Sequence, residues 1–318
     1  MEQAKTMEPT PEALGNPVAR YALATRPPFL VVTLIGAFIG YATACAARVP
    51  LQPLVAVLAL VLGLVVHAAV NVLNDYYDAL NGTDAMNTAR VFPFTGGSRF
   101  IQNGVLTTLQ TARYGWILIV VAIAGGLALT NYAGLGLIAI GLPGLLIGWA
   151  YSAPPLALNS RGLGEPCVAA GFALVVIGSD FVLRQRFSSE PLIASLCYAL
   201  LVTNILYINQ FPDREADERA GKRHWVVRLG VARAVYGYYA IALIAYGWII
   251  LMVGAGRLPA AALLGLGAAP LSFAAARLLA RFAAQPSQLA PALKMTIAAA
   301  VLHGVLLAFA LTFFGPHS

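Results

Sequence analysis

Charge is what this chain has least of. Asp, Glu, Lys and Arg make up 10% of its 318 residues, against 59% apolar residues and a mean hydropathy of +0.77. Such a composition belongs in lipid, where a carboxylate is costly and usually functional. Cysteine is scarcer still. Cys45, Cys167 and Cys197 each sit in an apolar run, with no Cys-x-x-Cys or Cys/His spacing. Redox and zinc chemistry therefore find no motif, and the three read as small buried hydrophobes. The first twenty residues lack an apolar core, so no secretory signal peptide is expected and the first apolar run should stay in the mature protein.

Against these absences stands apolar length. Nine runs, at about 29–47, 54–74, 115–132, 134–151, 166–183, 191–211, 234–254, 259–276 and 296–314, are long enough as helices to cross a bilayer core of ~30 Å. The third and fourth are almost contiguous and predict a tight hairpin. The expected fold is all-α: a polytopic membrane protein with nine transmembrane helices and helical caps on the cytoplasmic side. A single domain over 24–316 would follow a polar cytoplasmic tail at 1–23. The net charge of +7 does not point to nucleic acid, because it is distributed by side of the membrane. Sixteen of the twenty lysines and arginines fall on the side that holds the N-terminus, and only Arg48, Arg184, Arg186 and Arg257 on the other. The positive-inside rule then puts the N-terminus and the loops after spans two and six in the cytoplasm and the C-terminus outside, in a multi-pass protein of the cytoplasmic (inner) membrane.

Seven of the thirteen carboxylates lie in two short stretches, each closing an apolar run: Asn74-Asp75-Tyr76-Tyr77-Asp78 with Asp84 beyond it, and Asn209-Gln210-Phe211-Pro212-Asp213-Arg214-Glu215-Ala216-Asp217-Glu218. On a helix, His67, Asn71, Asn74 and Asp78 share an arc of about 60°, with Asp75 about 40° further round. In span six Asn209, Gln210, Asp213 and Asp217 fall on one side, although Pro212 predicts a kink or restart there. Mg²⁺ takes oxygen ligands, keeps several waters and is usually held by one or two carboxylates plus substrate phosphates. Two Asn/Asp stripes on facing helices therefore suit a diphosphate bridged to the protein by divalent cations. Lys222 and Arg223 after the second stripe, and Arg90 and Arg99 after the first, suit the remaining phosphate oxygens. Two other readings stay open: solvated helix ends, and a cation-coupled transporter, whose carboxylates would lie nearer the midplane. A phosphatidyl-type transferase would need an Asp-Gly-x-x-Ala-Arg pattern that is absent.

These residues resemble the UbiA superfamily of intramembrane aromatic prenyltransferases, nine-helix proteins with aspartate-rich motifs after helices two and six. Asn74, Asp75 and Asp78 match the first motif, with Gly82 at the place of its third aspartate and Asp84 two residues on. Asp213 and Asp217 match the second, followed by Gly221-Lys222-Arg223 and Val226-Val227-Arg228-Leu229-Gly230. Arg26-Pro27, Gly96-Gly97, Gly104-Val105-Leu106, Tyr151-Ser152-Ala153-Pro154-Pro155 and Arg161-Gly162-Leu163-Gly164-Glu165 extend the likeness. The Gly-x-Asp variant is similar to the branch that prenylates 1,4-dihydroxy-2-naphthoate in menaquinone synthesis. Pro28, where a lysine is usual, and Gly178-Ser179-Asp180 in span five depart from that branch.

The resemblance implies Mg²⁺-dependent transfer of a polyprenyl group from a polyprenyl diphosphate to an aromatic acceptor in the bilayer. Asp75, Asp78, Asp213 and Asp217 would be catalytic, with Asn74, Asp78, Asp84, Asp213 and Asp217 on the metal. Lys222, Arg223, Arg90 and Arg99 would bind diphosphate. Asn71, Tyr76, Tyr151, Arg161 and Asn209 would line the pocket, with Arg161 on the acceptor's carboxylate. Tyr76, Tyr77 and Tyr207 offer aromatic faces to an allylic cation. His67 reads as a hydrogen-bonded histidine on a helix face, Asp180 as too near the outer face for chemistry, and Glu165 as an acidic first-turn residue of span five.

Overall fold

The computed structural model describes residues 8–315, and among these all regular structure is helical. In chain order the α-helices are α1 (Pro17–Ala24), α2 (Pro27–Ala46), α3 (Pro53–Leu80), α4 (Thr83–Met86), α5 (Thr108–Ala133), α6 (Ile138–Ser152), α7 (Gly164–Arg184), α8 (Ser189–Arg219), α9 (Trp225–Leu229), α10 (Val231–Gly254), α11 (Ala269–Phe282) and α12 (Ala290–Phe314). A 3₁₀ stretch, Ala260–Ala268, leads into α11. Local chemistry marks several starts. Asn16 caps α1 through its side chain, Thr107 and Gln110 form a reciprocal capping box on α5, and prolines open α2 and α3, where a missing N–H costs nothing.

Nine helices among the described residues are long and apolar enough to cross a membrane, one at each run read from the sequence. The differences lie at the helix ends that carry the aspartate motifs. α3 continues to Leu80 and α8 to Arg219, each beyond its apolar run, so both aspartate motifs ride on helix extensions. Pro212 does not end α8, which continues past it to Arg219. A single proline inside a long, packed helix removes one backbone hydrogen bond, and burial of the surrounding face outweighs that loss.

α2 and α8 form the middle of the bundle: 67% and 72% of their most apolar windows are buried, against 17% for α3 and for the segment ending in α6. Tyr198 on α8 is fully buried, donates its hydroxyl to Val32 O at 2.5 Å, and packs where Gly36 and Gly304 leave room for its ring. Gly40 lets α2 close on α7, for a Cβ there would lie 2.3 Å from Val176 O. At that end, opposite the aspartate motifs, Asp180 accepts from Arg184 and from Thr43 Oγ1 at 2.8–2.9 Å, a buried pair that ties α7 to α2.

The segment expected as a polar tail is partly folded. Leu14, Tyr21 and Ala24 pack against Phe100, Val105 and Leu106 of the loop after α4, and Glu8 reaches Arg90 and Arg99. Residues 1–7, and the end of the expected domain at 316, lie outside the described residues.

Candidate active site

The extensions of α3 and α8 face each other across one cavity of about 640 Å³. Asn71, Asn74 and Asp78 line it from α3, Asn209, Gln210, Asp213 and Asp217 from α8, and Asp84, Asn87, Thr95, Gly96 and Gly97 from the segment between α3 and α5. Below these polar groups the wall is apolar, built from α3, α5, α6 and α7, with residues such as Leu62, Val66, Leu129, Ile140 and Leu174. A polar mouth over an apolar shaft suits an amphiphile with an anionic head.

Lys222 holds the two motifs together. Its Nζ lies 2.8 Å from Asp78 Oδ1 and 3.2 Å from Asp217 Oδ1, one carboxylate from each half of the chain. Burial works to lower the Lys222 pKa, but Asp78 and Asp217 outweigh it and hold the ammonium above the ordinary lysine value. His224 Nε2, 3.1 Å from Asp217 Oδ2, braces the same carboxylate. Asp213 is held by the first half of the chain: Asn87 Nδ2 donates to its Oδ1 at 2.5 Å and Gly96 N to its Oδ2 at 3.4 Å. Asn209 Nδ2 donates to Phe94 O at 3.2 Å.

The first motif is anchored from both sides. Asn74 donates to Asp78 Oδ2 at 3.2 Å and to Ser152 Oγ at 3.0 Å, and Asn71 donates to Thr25 O at 3.0 Å. Asp75 turns away from the lining. It pairs with Arg26, itself a lining residue, and accepts from Ser98 N at 3.3 Å. Asp84 is buried beside Gly97, where a Cβ would lie 2.5 Å from its Oδ2 and where φ is +74°, so only glycine fits this turn without strain.

Among the described residues no three Asp, Glu, His or Cys side chains converge as a ready metal cage. The donors nevertheless fit Mg²⁺. They are hard carboxylate and amide oxygens, they come in pairs short of a full shell, and the lysine ammonium between Asp78 and Asp217 shows that the cluster is organised around positive charge.

Several residues singled out in the sequence stand elsewhere. Arg223 and Arg161 are exposed and do not line the cavity; Arg161 donates to Pro155 O at 2.5 Å. Arg90 and Arg99 also lie outside the lining and face Glu8, with Arg99 also donating to Asp84 O. Tyr76 packs on Tyr77 outside the lining, and Tyr207 donates to Ala234 O at 2.8 Å within the core. Tyr151 lines the cavity. His67, three turns below Asp78, bonds Thr33 through Nδ1 at 2.7 Å.

Arg26, Asn87, Gly96 and His224 were not singled out as site residues. Arg26 and the Gly96-Gly97 pair could have been found, since they sit in the quoted motifs. Asn87 and His224 carry no pattern of their own, and only the fold brings them to Asp213 and Asp217.

Comparison with known proteins identifies the family and the fold. The profile described as the UbiA prenyltransferase family matches residues 29–300. A 1,4-dihydroxy-2-naphthoate octaprenyltransferase of Mycobacterium leprae is 30% identical over 263 residues, covering 82% of this chain and 85% of that protein. Among solved structures, a digeranylgeranylglyceryl phosphate synthase superposes with a TM-score of 0.61 at 17% identity, covering 94% of this chain and 98% of the other. A UbiA homolog from Archaeoglobus fulgidus bound to GPP and Mg²⁺ gives 0.57 at 18% identity, covering 92% and 99%.

Proposed function

This chain belongs to the UbiA prenyltransferase family and is a membrane enzyme that transfers prenyl groups; we propose that its reaction is the Mg²⁺-dependent transfer of a polyprenyl group from a polyprenyl diphosphate to 1,4-dihydroxy-2-naphthoate, in menaquinone synthesis. The observation that carries the reading is Lys222, which joins Asp78 and Asp217 at the mouth of an apolar cavity. The naphthoate as acceptor is supported by the likeness to the mycobacterial octaprenyltransferase.

Lys222 and Arg26, which line the cavity, would meet the diphosphate oxygens. Charge builds on the leaving oxygen as the allylic C–O bond breaks, and a buried ammonium already held charged stabilises it without reorganising. Asn74, Asp78, Asp84, Asp213 and Asp217 would hold Mg²⁺, which when bound screens these carboxylates from the diphosphate and stabilises the leaving group. The apolar wall keeps water from the allylic cation, which would otherwise be captured as an alcohol. Phe94 and Tyr151, which line the cavity, offer it aromatic faces. Attack by the electron-rich ring then forms the new C–C bond, and the attacked carbon releases its proton so that the ring regains aromaticity. Residues 24–316 make up the catalytic unit, and both motifs face the cytoplasm from the inner membrane.

Purified protein incubated with geranylgeranyl diphosphate, Mg²⁺ and a panel of aromatic acids, read by mass spectrometry, tests the proposal. A prenylated naphthoate product is expected. Turnover of 4-hydroxybenzoate alone would move the acceptor, and prenylation of a glyceryl phosphate with no aromatic product would overturn the aromatic reading.

A further inference from the structure

One pair of buried polar side chains beside the site has no part in holding diphosphate. Gln210 lies on α8 one turn before Asp213 and lines the cavity. Its Nε2 donates to Glu165 Oε1 at 2.8 Å, and each of the two residues is 7% exposed. Two oxygens of the pair, Gln210 Oε1 and Glu165 Oε2, are buried without a hydrogen-bond partner. Both are acceptors, so the pair is short of donors.

The chemistry of the pair sets which end of the amide is free. A carboxylate only accepts, so Glu165 fixes the Gln210 amide with its NH₂ turned inward and its oxygen turned away. The Gln210 oxygen that Glu165 leaves free is therefore a buried, unpaired acceptor on a residue that lines the cavity, next to the residues that would hold the prenyl diphosphate. A buried acceptor of this kind selects a ligand that brings a hydrogen, because an analogue without one leaves the oxygen unpaired.

We propose that Gln210 Oε1 accepts a hydrogen bond from a ring hydroxyl of the aromatic acceptor, and that Glu165 is the positioning residue that keeps the amide turned for it. The inference rests on the prenyl-transfer reading and adds to it a basis for specificity. A hydroxyl-bearing ring is held beside the allylic carbon, and a ring with a methoxy group at that position is rejected. No proton leaves the substrate at this contact.

Equilibrium binding of 1-hydroxy-2-naphthoate and its 1-methoxy analogue to the purified protein, without prenyl donor, separates this inference from the function itself. The wild-type protein should bind the hydroxyl compound about tenfold or more tighter. Gln210→Met should abolish that preference. Glu165→Gln, whose amide can also donate and so lets Gln210 turn over, should narrow it while leaving the protein folded. In steady-state assays Gln210→Met should raise the KM for the aromatic acceptor and not that for the diphosphate. Equal affinity of the wild-type protein for the two naphthoates, or no binding of either, would overturn the inference even if prenyl transfer is observed. A clear hydroxyl preference with no transfer to any aromatic acceptor would overturn the proposed reaction and leave the inference standing.

Discussion

At Asp84, burial first, and then the charges of Asp78 and Asp75, push the carboxyl up to about 8. The folded value lies above the unfolded one, ~3.9, so the folded state holds this proton more tightly. The stability associated with it is fully present below the unfolded value and is lost as pH rises through the folded value. With EDTA present, the thermal midpoint in detergent should therefore fall between about pH 4 and 8, and Asp84→Asn should flatten that fall. An unchanged slope in the variant would show that Asp84 is not the group under strain. The Lys222 value is raised as well, but by attraction and not by burial: its two carboxylates hold it charged against burial. Asp84 is the residue a bound cation would relieve, and Lys222 is the cation the chain supplies itself.

The elements that carry the site are the extensions of α3 and α8, and their inward faces were legible because a helix repeats every 3.6 residues. Asn71, Asn74 and Asp78 read as one stripe and are found as one. The segment between α3 and α5 was not legible in the same way. Its hold on Asp213 through Asn87 and Gly96 spans 126 and 117 residues of sequence and passes through irregular backbone, where no periodicity marks a partner. Proximity in sequence to the motifs suggested Arg90, Arg99 and Arg223 for the diphosphate; in the fold Arg90 and Arg99 meet Glu8, Arg223 is exposed, and none of the three lines the cavity. Small residues decide how closely the helices approach. A Cβ at Gly40 would lie 2.3 Å from Val176 O and 2.7 Å from Ser179 Cβ, neither of which can swing aside. Gly40→Ala should cost about 1–3 kcal/mol, seen as a lower thermal midpoint in detergent. No change would mean that α2 and α7 can separate freely.

For the whole molecule, nine spans and an uneven spread of basic residues were readable from composition, because lipid imposes length and the membrane sorts charge. The arrangement of those spans around a central α2 and α8 was not, since nearly every face of every helix is apolar. The charge asymmetry makes a direct prediction. In cells expressing a variant without the three native cysteines, single cysteines at Asn81 and Ala220 should resist a membrane-impermeant thiol reagent applied from outside; labelling of either would reverse the orientation. The central claim is that two aspartate motifs, one from each half of the chain, form a single diphosphate site closed by Lys222. Turnover of geranylgeranyl diphosphate with Mg²⁺ and the naphthoate, compared among wild type, Asp78→Ala and Asp213→Ala proteins shown to be folded in detergent, tests it most directly. Loss of turnover in both variants is the predicted result, and near-normal turnover in either one would contradict the account.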